Sequence, residues 1–352
     1  MRKNLVLTGF GVVGREWIRL LEEKRGFLRR AYDLDFRVVA VGGRGGFLAD
    51  EHGLDLAVLG GFETGSRSLQ TCADALGTPL VATYGKADAL VDATPTDTAS
   101  GEPGFGYMMD AIRRRMDVVA LSKGALVRHY GAIAAAAAAN RVRLKFSGAT
   151  AAALPTLDIG QISLAGCEIT AIEGILNGTS NYILSRMQED RIAYVDALRI
   201  AQERGIAEAD PRLDVEGTDS ACKMLLLANC LFDSTLSLSD VSIAGIDGVR
   251  EQDFEAARAQ GTKIKLLARA RKLDGTVRVD VMPRNIGTDH LLYSVDGTNK
   301  GIVFRTDTMG DVGAVGGASS PRGAAAAALK DLIHLYRSED VVERESFRSF
   351  EK

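Results

Sequence analysis

The segment Gly205–Lys223, GIAEADPRLDVEGTDSACK, sets a run of ionisable side chains directly ahead of an apolar stretch. Five carboxylates, Glu208, Asp210, Asp214, Glu216 and Asp219, precede Lys223, and the apolar run MLLLAN follows at once. Asp219 and Lys223 are four residues apart, so a helix places them on one face. Acids that repel one another are ordinarily spread over a solvated face. Here they run into a buried helix, a pattern that suits a pocket holding a cationic group and moving a proton. The same letters also spell an acidic loop ahead of a core helix.

A second kind of chemistry sits at the N-terminus. In NLVLTGFGVVGREWIRLLEEKRG a short apolar run meets glycines, and Trp17, Ile18, Leu20 and Leu21 then recur at helical spacing. Gly9, Gly11 and Gly14 form Gly-x-Gly-x-x-Gly, with Phe10, Val12 and Val13 between them. The first glycine makes the turn, the second lets backbone approach a pyrophosphate, and the third lets helix pack on strand. The helix N-terminus then faces the anion. A merely structural turn is the other reading. The next strand, Phe36–Val41, ends in GGRGG. An acid there would bond a ribose 2′-hydroxyl; Arg44 instead suits a 2′-phosphate, favouring NADP over NAD. An exposed loop arginine is the alternative.

These groups need elements to position them. The stretches ALVDATPTDT and MDVVALSKGAL read as later parallel strands with their C-terminal loops, where open α/β sheets bind ligands. Thr94, Pro95, Ser122 and Lys123 lie there. VRLKFSG is a further strand. From about Thr150 the pattern changes to a β-like ITAIEGIL, a helix opened by NGTSNY, an amphipathic helix YVDALRIAQERG, and strand-rich segments after Leu231. In NGTSNY, Gly178 frees the backbone, and Thr179 or Ser180 can cap the helix. Its exposed N–H groups can take a carboxylate, or the motif is a cap alone. The expected class is α/β. A Rossmann-type doubly wound parallel sheet spans 1–147 and regains 311–340 through an alanine-rich helix. A second α+β lobe spans 148–310.

With 352 residues, 46% hydrophobic and 25% charged, the chain reads as a soluble globular protein of two domains, or of one large α/β unit with an inserted lobe. A net charge of −3 gives no reason to expect nucleic acid or an anionic membrane as partner. Arg113–Arg115 fit a solvated helix terminus. Four cysteines without Cys-x-x-Cys spacing, and no leader ahead of the first strand, point to a reducing cytoplasm. Four scattered histidines offer no His-based metal site. The alanine tracts are too short to span a bilayer.

In order along the chain, GFGVVG, VDATPTDTASGEPG, ALSKGAL, GILNGTSNYIL and AEADPRLDVEGTDSACK resemble the homoserine dehydrogenase family. The likeness runs to about Tyr336 and matches the short form without an ACT or aspartokinase domain. It implies reversible NAD(P)-dependent hydride transfer between L-aspartate 4-semialdehyde and L-homoserine, in amino-acid biosynthesis toward threonine and methionine, by a homodimer joined through its second sheet. By this resemblance Glu208 binds the substrate ammonium, and Asp214, with Gly178 and Thr179, helps fix the substrate. Asp219 accepts from the reacting hydroxyl or holds a lysine. Lys123 carries the proton and Lys223 polarises the oxygen; burial or a second cation must lower a lysine's pKa for this work. The resemblance also implies Na+ or another monovalent cation on the main-chain carbonyls of Ser147, Thr150, Ala152 and Leu154.

The chain departs from the family pattern at Ser122, at Ser147 where an acid is usual, at Ile206 where an aromatic is usual, and in the late turn GGASS. These changes leave open a dehydrogenase of the same fold acting on another amino- or hydroxy-acid, or a non-catalytic nucleotide-binding homologue.

Overall fold

A computed structural model describes residues 1–62, 68–317 and 319–337. The chain divides into two compact units: Met1–Ala149 together with the segment beginning at Ser320, and Thr150–Ser319.

The first unit is built on a six-stranded sheet. Its strands are β1 (Arg2–Thr8), β2 (Asp35–Gly43), β3 (Gly46–Ala49), β4 (Ala89–Asp92), β5 (Asp117–Ala120) and β6 (Leu144–Lys145), in the order 3-2-1-4-5-6. All pairs are parallel except β2–β3. β4 and β5 are buried at every position, as strands covered on both faces must be. The helix Val12–Tyr32 lays Trp17, Ile18, Leu20 and Leu21 on the sheet, and burying each such side chain contributes about 1.5–3 kcal/mol. The helix Pro321–Tyr336 packs Ala325, Ala328, Leu329 and Leu332 into the same core. Its small residues allow the close approach that the sequence suggested.

The second unit carries β7 (Ile169–Ile175), β8 (Val241–Ile243), β9 (Lys263–Leu273), β10 (Thr276–Ile286), β11 (Lys300–Thr306) and β12 (Asp311–Gly316), ordered 12-11-7-9-10-8. Two helices, Gly178–Asp190 and Thr218–Leu231, pack against this sheet. The return to the first unit therefore begins at Ser320 and not at 311. Residues 311–316 pair antiparallel with β11, because the backbone hydrogen bonds of that edge outweigh the glycine content that read as a turn. Positions 338–340 of the expected return, and Ala318 within GGASS, lie outside the described residues.

Candidate active site

In the first unit the glycine loop follows β1 directly. Gly9 has φ +91°, and a Cβ there would overlap the Ala93 carbonyl at the end of β4. Its N–H donates to the Gly42 carbonyl at the end of β2, 2.9 Å away. The loop is thus wedged where the strand order reverses, between β1 and β4. Gly11 caps the helix with no side-chain acceptor for the first-turn N–H groups, and a Cβ on it would meet nothing within 4 Å. Those donors and that open approach are what a pyrophosphate requires. A Cβ on Gly14 would overlap the Gly9 carbonyl, so this glycine serves packing.

A cleft of about 1520 Å³ opens here, lined by Gly9, Phe10, Gly11, Val12, Val13, Arg44, Thr94, Pro95 and Ser122 among others. Gly14 and Lys123 are not among its lining residues. Arg44 and Gly45 form the two-residue turn joining β2 to β3, a hairpin where the sequence suggested only a loop. Arg44 is exposed. Lys123, part-buried, is the N-cap residue of the helix Gly124–Asn140.

Asp92, at the end of β4, is fully buried and was not singled out by the sequence. It accepts from Thr8 Oγ1 at 2.9 Å and Thr94 N at 3.4 Å. Burial pushes its carboxyl up to about 6, with the Thr94 and Thr8 hydroxyls opposing. A native pKa above the unfolded value favours folding most at low pH, and that stability is lost as pH rises through about 6. Asp92→Asn should flatten this fall between about pH 4 and 6 and raise unfolding free energy near pH 7.5 by about 1–3 kcal/mol. Denaturant unfolding of both proteins across that range checks it. An unchanged slope would assign the pH dependence to other groups.

In the second unit Asp219 and Lys223 do share a face of the helix Thr218–Leu231, with Nζ 2.6 Å from Asp219 Oδ2. Lys223 Nζ also donates to the Leu176 carbonyl at 2.9 Å. Both side chains are mostly buried, Lys223 at 16% and Asp219 at 12% exposure, so the pair is shielded from solvent. The Asn177 amide donates to Asp214 Oδ1 at 2.7 Å and to Asp219 Oδ2 at 2.9 Å, joining two carboxylates to one donor. The Asn177 oxygen accepts from Ser180 N at 2.9 Å. Asn177 is therefore the helix cap, in place of Thr179 or Ser180, because its side chain reaches the third N–H from outside the helix. Thr179 Oγ1 instead donates to the Ile206 carbonyl at 3.1 Å, tying the cap to the acidic segment. A Cβ on Gly178 would lie 2.7 Å from the Thr298 carbonyl, so only glycine fits there. Glu208 is exposed. Asp210 pairs with Arg212 on the surface, and Glu216 is exposed; neither joins the buried set.

Two further residues belong to this cluster. Asn181 is fully buried and donates to the carbonyls of Val295, Gly297 and Asn299 at 3.0, 3.0 and 3.1 Å. It pins the loop that leads into Lys300. Lys300 is 1% exposed, and its Nζ donates to the Ala151 carbonyl at 2.8 Å. Burial, and then the Lys223 charge, push it down to about 8, with Asp219 opposing; at neutral pH it remains mostly a cation. In the sequence Lys300 looks like the polar first residue of a strand, and nothing local marks it as buried.

Residues 9–147 match the family model described as the NAD binding domain of homoserine dehydrogenase, and residues 155–333 the model described as homoserine dehydrogenase. The chain is 34% identical over 341 residues to a Pseudomonas canavaninivorans protein named NAD(+)-dependent homoserine dehydrogenase, covering 95% of this chain and 96% of the relative. It is 32% identical to a Methanocaldococcus jannaschii homoserine dehydrogenase, covering 95% and 99%. A crystal structure of a homoserine dehydrogenase from Thiobacillus denitrificans is 28% identical, with TM-score 0.79, covering 95% of this chain and 73% of that one. Among the described residues no helix is long and apolar enough to cross a membrane.

Proposed function

The chain belongs to the homoserine dehydrogenase family, and on that premise we propose that it interconverts L-homoserine and L-aspartate 4-semialdehyde with the residues placed above. It is an NAD(P)-dependent oxidoreductase acting on a CH–OH group. The observation that carries the assignment of roles is the Asp219–Lys223 pair held at 2.6 Å and bridged through Asn177 to Asp214.

A nicotinamide dinucleotide, when bound, supplies the hydride acceptor or donor. Gly9, Phe10, Gly11, Val12 and Val13 would hold its phosphates on the open helix terminus, with Thr94, Pro95 and Ser122 along the cleft. The position of Arg44 in the turn after β2 supports NADP over NAD, because a guanidinium there meets a 2′-phosphate with paired donors. Glu208, exposed at the edge of the acidic segment, would take the substrate ammonium, and Asp214, Gly178 and Thr179 would fix the amino-acid head. In the oxidising direction Lys123 would take the hydroxyl proton. Lys223, oriented by Asp219 and the Leu176 carbonyl, would donate to the substrate hydroxyl oxygen and oppose its developing charge. No step is assigned to a monovalent cation. A cytoplasmic location and a homodimer through the second sheet complete the proposal. Leu291, Met309 and Val315 of the second unit stay exposed, and light scattering of the purified chain decides the dimer.

Steady-state rates with aspartate 4-semialdehyde, other small amino- and hydroxy-acid carbonyls, and each reduced cofactor test the reading. Aspartate 4-semialdehyde should be preferred, with KM for NADPH about tenfold below that for NADH, as one paired-donor phosphate contact implies. Faster turnover of a different carbonyl would reassign the substrate, and an NADH preference would remove the role of Arg44.

A further inference from the structure

The turn from Thr150 to Thr156 includes three of the four carbonyls expected to hold a monovalent cation, and its residues do not fit one. The Leu154 carbonyl accepts the Thr156 N–H at 2.8 Å. The Ala151 carbonyl, between the expected Thr150 and Ala152, accepts both the Leu154 N–H at 3.2 Å and Lys300 Nζ at 2.8 Å. Ala152 itself sits at φ +54°, locking the turn. Ser147 stands where the family pattern has an acid, and its hydroxyl is engaged by Asp331 and Lys330. Placing a free cation beside a buried ammonium adds like-charge repulsion, which Asp219, already paired with Lys223 at 2.6 Å, offsets only in part.

We propose that Lys300 is a tethered cation: its ammonium takes the place of the free ion, holding the Ala151 turn beside the Asp219–Lys223 pair. An ammonium carries the same charge as potassium and is close to it in size, and it is satisfied by carbonyl oxygens. Three features build the site. The side chain is 1% exposed. Its donor meets a main-chain carbonyl at 2.8 Å. The loop before it is fixed by three hydrogen bonds from Asn181 and by the close approach of Gly178 to Thr298. A covalent tether keeps the charge present whatever the ionic composition of the medium, because its effective concentration does not depend on free ion. Lys300 acts through the turn and the neighbouring pair, so it is a positioning residue and not a proton carrier.

The inference rests on the homoserine dehydrogenase reading, so its test has an arm that needs no turnover. For the unaltered chain, rates in tetramethylammonium, sodium and potassium chloride at matched ionic strength should agree within about twofold, since screening is equal. Lys300→Ala should lower kcat about 10²-fold through misplacement of the pair, and potassium or ammonium ions should recover about tenfold of that loss. Lys300→Met fills the space, so it should lose kcat and not recover. The thermal midpoint of the chain without cofactor should ignore the cation, while that of Lys300→Ala should rise in potassium over tetramethylammonium. Sodium or potassium activation of the unaltered chain by about tenfold or more would overturn the proposal. So would a Lys300→Ala protein that no cation rescues in rate or midpoint. If neither variant folds, the unaltered chain decides by its cation response. Absence of all turnover with homoserine would instead sink the activity reading, leaving the midpoints to judge Lys300.

Discussion

Lys223→Ala should bind reduced dinucleotide as the unaltered chain does and lose kcat by about 10³-fold or more. The two halves of that result have separate causes. Among the described residues, the cleft that would hold the dinucleotide is lined by residues of the first unit, from Gly9 to Ser122. Lys223 belongs to the second unit, on the helix Thr218–Leu231. Its removal deletes the ammonium held 2.6 Å from Asp219 Oδ2, an oxygen that also accepts from the Asn177 amide at 2.9 Å. It also frees the Leu176 carbonyl. Losing one partner of a mostly buried pair costs about 2 kcal/mol of stability, an amount a folded two-unit chain tolerates. The larger loss is kinetic: a 10³-fold fall corresponds to about 4 kcal/mol of transition-state stabilisation. Fluorescence titration with NADPH and single-turnover rates separate the halves. A kcat within tenfold of the unaltered chain would remove Lys223 from the chemistry. A lost dinucleotide signal would mean that the substitution disturbs more than its own helix.

The contrast between this lysine and Lys300 shows what the sequence could disclose. Asp219 and Lys223 are four apart on a helix, so their pairing is a local property that spacing alone encodes. The glycine loop is local in the same sense, since each glycine answers a backbone demand within a few residues or at the next strand end. Asn177 was visible as part of a motif, but its two acceptors, Asp214 and Asp219, come from a different helix and the turn before it. Lys300 and Asn181 are further removed. Their roles exist only after β11 pairs with β7 and the loop before Lys300 closes over the helix Gly178–Asp190. Nothing in TNK distinguishes a buried ammonium from an exposed strand end. Asp92 is the same case inside the first unit: a charged letter in an apolar strand, buried because β1 and β5 flank it. The acidic segment erred in the other direction. Five acids suggested one cluster, yet Glu208, Asp210 and Glu216 face solvent, because the short segment around Pro211 can direct only some of its side chains inward.

Gly9→Ala and Gly11→Ala should part company, and the pair of results tests the nucleotide site more sharply than either alone. Gly9 has φ +91°, a conformation that costs a residue with Cβ about 1–3 kcal/mol before any contact is counted. The added carbon would also overlap the Ala93 carbonyl and lie 2.6 Å from Thr94 N. Those are backbone atoms at the end of β4, and they cannot rotate away. Relief requires the loop to withdraw from β4, which breaks the 2.9 Å bond from Gly9 N to the Gly42 carbonyl. Gly9→Ala should therefore destabilise the first unit by about 3 kcal/mol or more and weaken dinucleotide binding about 10²-fold or more. Gly11 has an ordinary φ of −86°, and a Cβ on it meets nothing within 4 Å. The fold alone gives that position no reason to be glycine. If a pyrophosphate approaches there, Gly11→Ala should keep the thermal midpoint and still lose affinity about tenfold or more, because the methyl group occupies the path of the ligand. Calorimetric melting and NADPH titration of both variants settle the matter. Full affinity in Gly11→Ala would show that the glycine pattern serves the turn and not a phosphate, and would move the dinucleotide away from the helix terminus.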